Sequence, residues 1–251
     1  MTTANEILEQ IFDLSIGYER EPDDYVLRLC PTFEQVRELA TLLSYDPGEE
    51  DLQQFLECYP QFLAAVCGGY GDLPLAFISK PRINEYFADF AVLSAGQGYG
   101  CTIHLVEIKK SSEKLYLSQP SKCGEPSGRH REGRLQIENR DIWLNEGTNS
   151  NTFVSNFIKL VKTLPQYPSR SHNQSFQLGT AQSTDQIWRG FGGDNQVRIN
   201  HLLIIGRWSQ LTEQERIRLL QHNRRDNSLY QILTYDQLAR IAFNKPYFSP
   251  L

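Results

Sequence analysis

DFAVL at residues 89–93 and CTIHLVEIK at residues 101–109 are the two β-type runs that decide the fold. The link between these two runs is rich in glycine, so the two runs and the link together predict a β-hairpin. If the chain folds back about Gly98, Asp89 lies opposite Glu107, since both are equally far from the turn. Directly opposed residues share a face, with Cβ atoms about 5 Å apart. Lys109 projects from that face too, because side chains alternate along a strand, and Ile108 points into the core.

The two carboxylates and the ammonium at the open end of this hairpin form a predicted metal site. Carboxylates this close repel each other unless a cation lies between them. Mg²⁺, with Mn²⁺ as a substitute, is held by one or two carboxylates together with waters and phosphate oxygens. Such an ion polarises a phosphoryl oxygen, and Lys109 can stabilise the charge that develops there. A surface salt-bridge cluster at a strand end is the alternative, and a register shift of one residue would separate the side chains.

The pattern of hydrophobic residues elsewhere predicts a mixed sheet flanked by helices. Thr32 and Thr212 are suited to cap two of the helices, and Pro60 is expected to kink or divide a third. The predicted helices span 4–14, 33–43, 49–66, 133–145, 153–161, 212–220 and 235–242. Strands are predicted at 25–29, near 75, and at 86–93, 101–108, 201–206 and 232–234, with turns over 110–131 and a long polar insertion at 163–198.

Charge divides the chain into an acidic N-terminal part and a basic remainder. Residues 1–60 hold 14 acidic and 3 basic side chains, whereas residues 61–251 hold 16 acidic and 22 basic ones. A basic face suits a polyanion, although surface charge also clusters by chance. We predict an acidic, mainly helical segment at 1–48 and a second domain at 49–251. Asp89, Glu107 and Lys109 are expected to converge on one cleft, and the acidic segment is expected either to mask this cleft or to lie away from it.

Cysteine usage and hydropathy predict a cytoplasmic protein. The five cysteines are scattered without a Cys-x-x-Cys pair, which favours free thiols over a zinc ribbon or a disulfide framework. The segment Met1–Gln10 contains two acidic residues and no basic region, unlike a secretory signal. No apolar run approaches the roughly 20 residues that cross a bilayer, so no membrane partner is expected.

The hairpin resembles the core of the PD-(D/E)XK nuclease superfamily, and four further stretches resemble one family within it. They occur in the family's order and read FLECYPQFL at 55–63, QIENRDIW at 136–143, LLIIGR at 202–207 and LTYDQL at 233–238. These stretches are similar to those of the Shedu family of bacterial anti-phage nucleases, over about residues 50–244. The resemblance implies an α/β fold in which a restriction-endonuclease-like mixed β-sheet is flanked by helices.

The resemblance also implies a role for individual residues. Asp89 and Glu107 would be the metal ligands, and Lys109 would be the catalytic lysine. Gln136 would be the glutamine that the family carries on a helix near the site. Asn139, one turn further along that helix, is the alternative for this role.

Other charged residues near the site are predicted to support it. Glu57, on the helix that precedes the core, would be an extra acid. The basic residues that could contact phosphate groups are Lys110, Arg129, Arg131 and Arg134. The alternative for these basic residues is an ordinary solvated loop.

Together these features predict a metal-dependent nuclease that hydrolyses DNA, and the resemblance implies a role in bacterial phage defence. The alternative is a non-catalytic subunit with a nuclease fold that binds nucleic acid or a partner protein. The intact Asp, Glu and Lys argue against that alternative. DNA is the expected partner, and the sequence leaves open a homo-oligomer or a regulatory partner. We expect Glu107→Gln and Lys109→Ala to abolish cleavage with little change in thermal stability.

Overall fold

The structure is a computed structural model, which describes residues 2–13, 30–67, 73–96, 100–117, 124–166, 175–178, 197–225 and 228–244. The predicted strand at 25–29, the turn residue Gly98 and most of the polar insertion lie outside these residues.

A six-stranded mixed sheet forms the centre of the fold, in the order β6–β1–β4–β5–β7–β8. The strands are β1 (Leu73–Ser79), β2 (Arg82–Ile83), β3 (Tyr86–Phe87), β4 (Phe90–Gly96), β5 (Gly100–Ile108), β6 (Phe176–Gln177), β7 (Val197–Ile204) and β8 (Tyr230–Leu233). The sheet is antiparallel from β6 to β5 and parallel from β5 to β8. β5 therefore pairs antiparallel with β4 on one side and parallel with β7 on the other.

β4 and β5 form the predicted hairpin in the predicted register. Phe90 pairs with Val106, and Ala91 pairs with Leu105. The two members of each pair are equally far in sequence from residue 98, as a hairpin that turns at this residue requires. The register that brings Asp89 to the level of Glu107 is thus confirmed.

The prediction of one continuous strand over residues 86–93 is wrong. Tyr86 and Phe87 belong to β3, which pairs with β2 in a separate two-stranded ladder. Asn84 turns the chain back between them with φ 59°. Asparagine tolerates this left-handed conformation because its short polar side chain can bond locally.

Helices cover both faces of the sheet. They are α1 (Ala4–Asp13), α2 (Phe33–Ser44), α3 (Glu49–Cys58), α4 (Gln61–Cys67), α5 (Gly128–Asn145), α6 (Asn149–Val161), α7 (Glu213–Asn223) and α8 (Tyr235–Asn244). As predicted, Pro60 separates α3 from α4, and the side chains of Thr32 and Thr212 cap α2 and α7. α5 begins earlier than predicted, because the Ser127 hydroxyl caps it by accepting a 3.1 Å hydrogen bond from the His130 amide.

The two faces of the sheet bury separate hydrophobic clusters. α1, α2, α3, α4 and α8 pack on the face that carries Val106 and Ile108. α6 packs on the opposite face around Leu105, and α5 and α7 pack there around Leu203. The predicted mixed α/β architecture with flanking helices is confirmed.

The helices of the acidic N-terminal segment belong to this packing. Ile7, Ile11 and Leu39 are at most 1% exposed and lie in the same cluster as Ile108. The boundary at residue 48 stays a prediction. Among the helices that the structure describes, none combines the length and the hydropathy of a bilayer span.

Candidate active site

Glu107 and Lys109 lie where β5 ends, beside the parallel strand β7. Glu107 is at the level of Leu203 in β7, and the Lys109 amide donates to the Ile204 carbonyl at 2.8 Å. Glu107 is only 4% exposed and Lys109 only 3% exposed. The two charges are therefore part of the interior of the protein and not of its surface.

Asp89 closes the adjacent end of the hairpin. Its amide donates to the Val106 carbonyl at 3.0 Å, and its Oδ2 accepts from the Ile108 amide at 2.9 Å. Its Oδ1 accepts from Lys80 Nζ at 2.7 Å. Asp89 is thus held at the strand end by the backbone that carries Glu107, as the register predicts.

The Glu107 carboxylate bridges two cations. Its Oε1 accepts from Lys109 Nζ at 3.1 Å, and its Oε2 accepts from Arg140 Nη1 at 2.7 Å. The same Arg140 nitrogen donates to the Phe87 carbonyl at 2.7 Å. Arg140 is 1% exposed, so its guanidinium is a fixed part of the site.

Arg140 is the main residue that sequence reasoning missed. It lies on α5, where Gly133, Ile137, Arg140 and Leu144 form the buried face. That helical spacing is the signal that could have found it, because an arginine in line with apolar residues must reach a partner when buried. Glu49 and Lys80, which also contact the site, carry no comparable signal.

Burial and neighbouring charges both act on the pKa of the Glu107 carboxyl. Burial, and then the neighbouring negative charge of Asp89, raises the pKa of the Glu107 carboxyl above its ordinary value. The charges of Arg140 and Lys109 act in the opposite direction. The Glu107 carboxyl is thus influenced by one negative charge and two positive charges.

Lys109 is fixed from several sides. Glu49, the first residue of α3, places its Oε2 3.9 Å from Lys109 Nζ. The buried Tyr235 hydroxyl donates to the Lys109 carbonyl at 2.9 Å. Burial, and then the charges of Asp89 and Glu49, raises the pKa of Tyr235, so the hydroxyl keeps its proton.

The structure places the other predicted acid and amide side chains away from these contacts. The Glu57 carboxylate is buried and accepts hydrogen bonds from Ser79 Oγ and from Gln53 Nε2. Gln136 and Asn139 lie on the exposed side of α5, within about one turn of Arg140. Their predicted roles stay predictions.

The predicted phosphate-binding arginines are paired with glutamates of the same chain. Arg129 Nη1 lies 2.7 Å from Glu132, and Arg131 Nη2 lies 3.7 Å from Glu125. Arg134 Nε lies 3.2 Å from Glu138, which is four residues further along α5. Lys110 is exposed. All of these residues are near the solvent, so phosphate groups could reach them.

The donor set at the hairpin end fits a hard divalent cation. Asp89 and Glu107 supply carboxylate oxygens, and their mutual repulsion would be relieved by a cation between them. No cluster of three or more His, Cys, Asp or Glu side chains suited to a metal occurs in the described part of the chain. The protein would therefore supply two carboxylates, as Mg²⁺ sites do when water and phosphate complete the shell.

The mixed sheet with helices on both faces is consistent with a nuclease-like fold, and Asp89, Glu107 and Lys109 lie at the end of its central hairpin. The sequence model of the family described as "Shedu protein SduA, C-terminal" matches residues 46–239, which is most of the chain. The chain therefore belongs to this family of antiviral defence proteins. None of the curated proteins compared with the chain matches it.

Proposed function

We propose that the protein is a divalent-metal-dependent nuclease that hydrolyses phosphodiester bonds of DNA in phage defence, within the cytoplasm. The observation that carries the proposal is the convergence of Asp89, Glu107 and Lys109 at one strand end. Membership of the Shedu family supports the defence role. The oxygen donors and the buried ammonium are the groups that phosphodiester hydrolysis needs.

Asp89 and Glu107 would hold the cation, which would polarise a phosphoryl oxygen and make a water molecule a better nucleophile. The carboxylates of Glu107 and Glu49 hold the Lys109 ammonium at the strand end. Lys109 would donate to the phosphate oxygen on which negative charge increases. Because Lys109 is buried, this charge acts in a low dielectric and needs little reorganisation.

Arg129, Arg131 and Arg134, which lie near the solvent on α5, would bind the DNA backbone. Their present partners are exposed glutamates, and exposed ion pairs contribute only about 0–1 kcal/mol. Phosphate groups can replace these carboxylates, and the accompanying release of counterions makes DNA binding depend on salt.

The test is cleavage of plasmid and linear DNA by the purified protein, with Mg²⁺, Mn²⁺ or EDTA. We expect cleavage with either metal, none with EDTA, and a loss of at least about 100-fold in Lys109→Met. The matched control is Lys159→Met, on the exposed side of α6, which should cleave like the wild type. DNA binding without cleavage under every metal condition would instead identify the non-catalytic alternative.

A further inference from the structure

Every oxygen of the two proposed metal ligands already accepts a hydrogen bond from the protein itself. The partners of Glu107 are Lys109 and Arg140, and the partners of Asp89 are Lys80 and the Ile108 amide. Three of these four donors are cations. The protein thus supplies positive charge of its own where a divalent cation would have to bind.

The three cations differ in how easily they could move away from the carboxylates. The side chains of Arg140 and Lys109 are 1% and 4% exposed, so moving them would leave a buried charge without its partner. The Lys80 side chain is 51% exposed, and water can solvate its ammonium as soon as it moves. Asp89 Oδ1 is therefore the one of the four oxygens whose partner can leave easily.

The backbone of Lys80 is held so that its side chain meets Asp89. Lys80 follows β1 and adopts φ 50°, a left-handed conformation that is strained for a residue other than glycine. Its amide donates to the Asp89 carbonyl at 2.9 Å, in addition to the 2.7 Å contact between the side chains. The two residues are therefore joined through both main chain and side chain.

We propose that Lys80 is an internal counter-ion that competes with the divalent cation for Asp89. Without metal, the ammonium occupies Asp89 Oδ1 and offsets the repulsion between Asp89 and Glu107. When the cation binds, it displaces Lys80 into solvent, because the two positive groups repel each other and Lys80 is the one of the three cations that water can readily solvate. The inference rests on the proposed function and adds that Lys80 lowers the affinity of the site for its metal.

The experiment measures Mn²⁺ binding rather than cleavage. Free Mn²⁺ is determined by electron paramagnetic resonance during titration of the wild type, Lys80→Met and Lys80→Arg. We expect the Kd for Mn²⁺ to fall roughly two- to tenfold in Lys80→Met, because a half-exposed like charge is removed. Lys80→Arg keeps the charge and should retain a Kd close to that of the wild type. Lys159→Met removes a distant lysine charge and should have no effect.

Thermal unfolding with and without MnCl₂ gives a second readout. Lys80→Met should lower the Tm without metal, because Asp89 then loses its cationic partner while the repulsion from Glu107 remains. The increase in Tm on adding MnCl₂ should be larger in Lys80→Met than in the wild type, because binding to the folded state is tighter.

The outcomes separate this inference from the proposed function. An equal or higher Kd in Lys80→Met, with normal binding by the wild type, would overturn the role of Lys80 alone. Mn²⁺ binding that persists unchanged in Asp89→Asn would place the metal elsewhere and overturn both proposals. The absence of binding in the wild type and in Lys80→Met alike would also overturn both.

Discussion

Glu107 carries two buried contacts at once, and this changes the expected consequence of replacing it. From the sequence, Glu107→Gln should remove repulsion between opposed charges and leave stability nearly unchanged. In the structure, Glu107 is 4% exposed and bonds Lys109 through one oxygen and Arg140 through the other. A glutamine can accept a hydrogen bond from only one of these cations, since its amide group must face the other. The expectation of unchanged stability is therefore revised.

We predict that Glu107→Gln lowers the free energy of unfolding by about 1–3 kcal/mol, because a buried donor loses its acceptor. Urea denaturation at pH 8 measures this change. Glu146→Gln, at an exposed position just after α5, is the matched control and should stay within about 0.5 kcal/mol of the wild type. Equal stability of the two variants would mean that the contacts of Glu107 contribute nothing to folding.

His201 makes the stability of the protein depend on pH. It is buried in β7, with its Nε2 3.5 Å from Asp141 Oδ1. Burial, and then the charge of Arg140, lowers the pKa of His201 from 6.5 to about 4. Below pH 6.5 the unfolded chain therefore binds a proton that the folded protein does not bind until about pH 4. This contribution to stability is complete above pH 6.5 and is lost as the pH falls towards 4.

We predict that His201→Gln removes this pH dependence. As the pH falls from 6.5 to 4, the wild type should lose up to about 3 kcal/mol more of its free energy of unfolding than the variant does. Urea denaturation at several pH values measures both proteins. Parallel stability curves across this range would show that His201 titrates alike in the folded and unfolded states.

At the scale of elements, the close approach of α5 to the sheet positions the site. α5 crosses β5 and β7 at Gly133, where a Cβ atom would lie 2.8 Å from Leu203 Cδ1 and 3.7 Å from Lys109 Cε. This missing side chain lets the helix come near enough for Arg140 to reach Glu107. Gly133 is thus needed for packing, although glycine is a poor helix former.

We predict that Gly133→Ala destabilises the protein by about 1–3 kcal/mol, since the added methyl group overpacks a buried contact. Gly128→Ala is the matched control on the same helix, because no atom lies within 4 Å of the Cβ position there. That variant should be neutral or up to about 1 kcal/mol more stable. Thermal unfolding measures both, and a Gly133→Ala variant as stable as Gly128→Ala would contradict the role of Gly133.

At the scale of the whole molecule, the acidic N-terminal helices are part of the hydrophobic core. Deleting residues 1–48 would remove Ile7, Ile11 and Leu39, each of which contributes about 1.5–3 kcal/mol through burial. Their sum is comparable with the total stability of a domain. We predict that the chain 49–251 loses cooperative thermal unfolding by circular dichroism. An unchanged midpoint would show that the segment folds independently.

The acidity of α1 is better tested by substitution than by deletion. Glu9 and Asp13 are exposed, whereas α1 itself packs against α2 and α8. We predict that Glu9→Gln with Asp13→Asn leaves the DNA affinity and its dependence on salt unchanged, as expected of a segment that lies away from the cleft. Tighter binding with a steeper salt dependence would instead show that the segment masks the cleft, because more phosphates could then be neutralised.

Local patterns in the sequence were sufficient for the hairpin and for most helices. The alternation of side chains and the glycine-rich turn predicted the register of β4 and β5, because both act between residues close in the chain. Thr32 and Thr212 marked two helix starts for the same reason, since a cap bonds an amide three residues away. The placement of Asp89 beside Glu107 and Lys109 follows from these local rules.

Only the tertiary structure decided which charges complete the site. Arg140 reaches Glu107 because α5 docks closely at Gly133, and Glu49 approaches Lys109 because α3 packs on the other face. These contacts depend on the docking of whole elements, and their energies come from burial of side chains contributed by several segments. Helical spacing within α5 can indicate that Arg140 is buried, but no single stretch shows which residue it contacts. The sequence therefore predicted that Asp89, Glu107 and Lys109 share one strand end, but not the further cations that contact them.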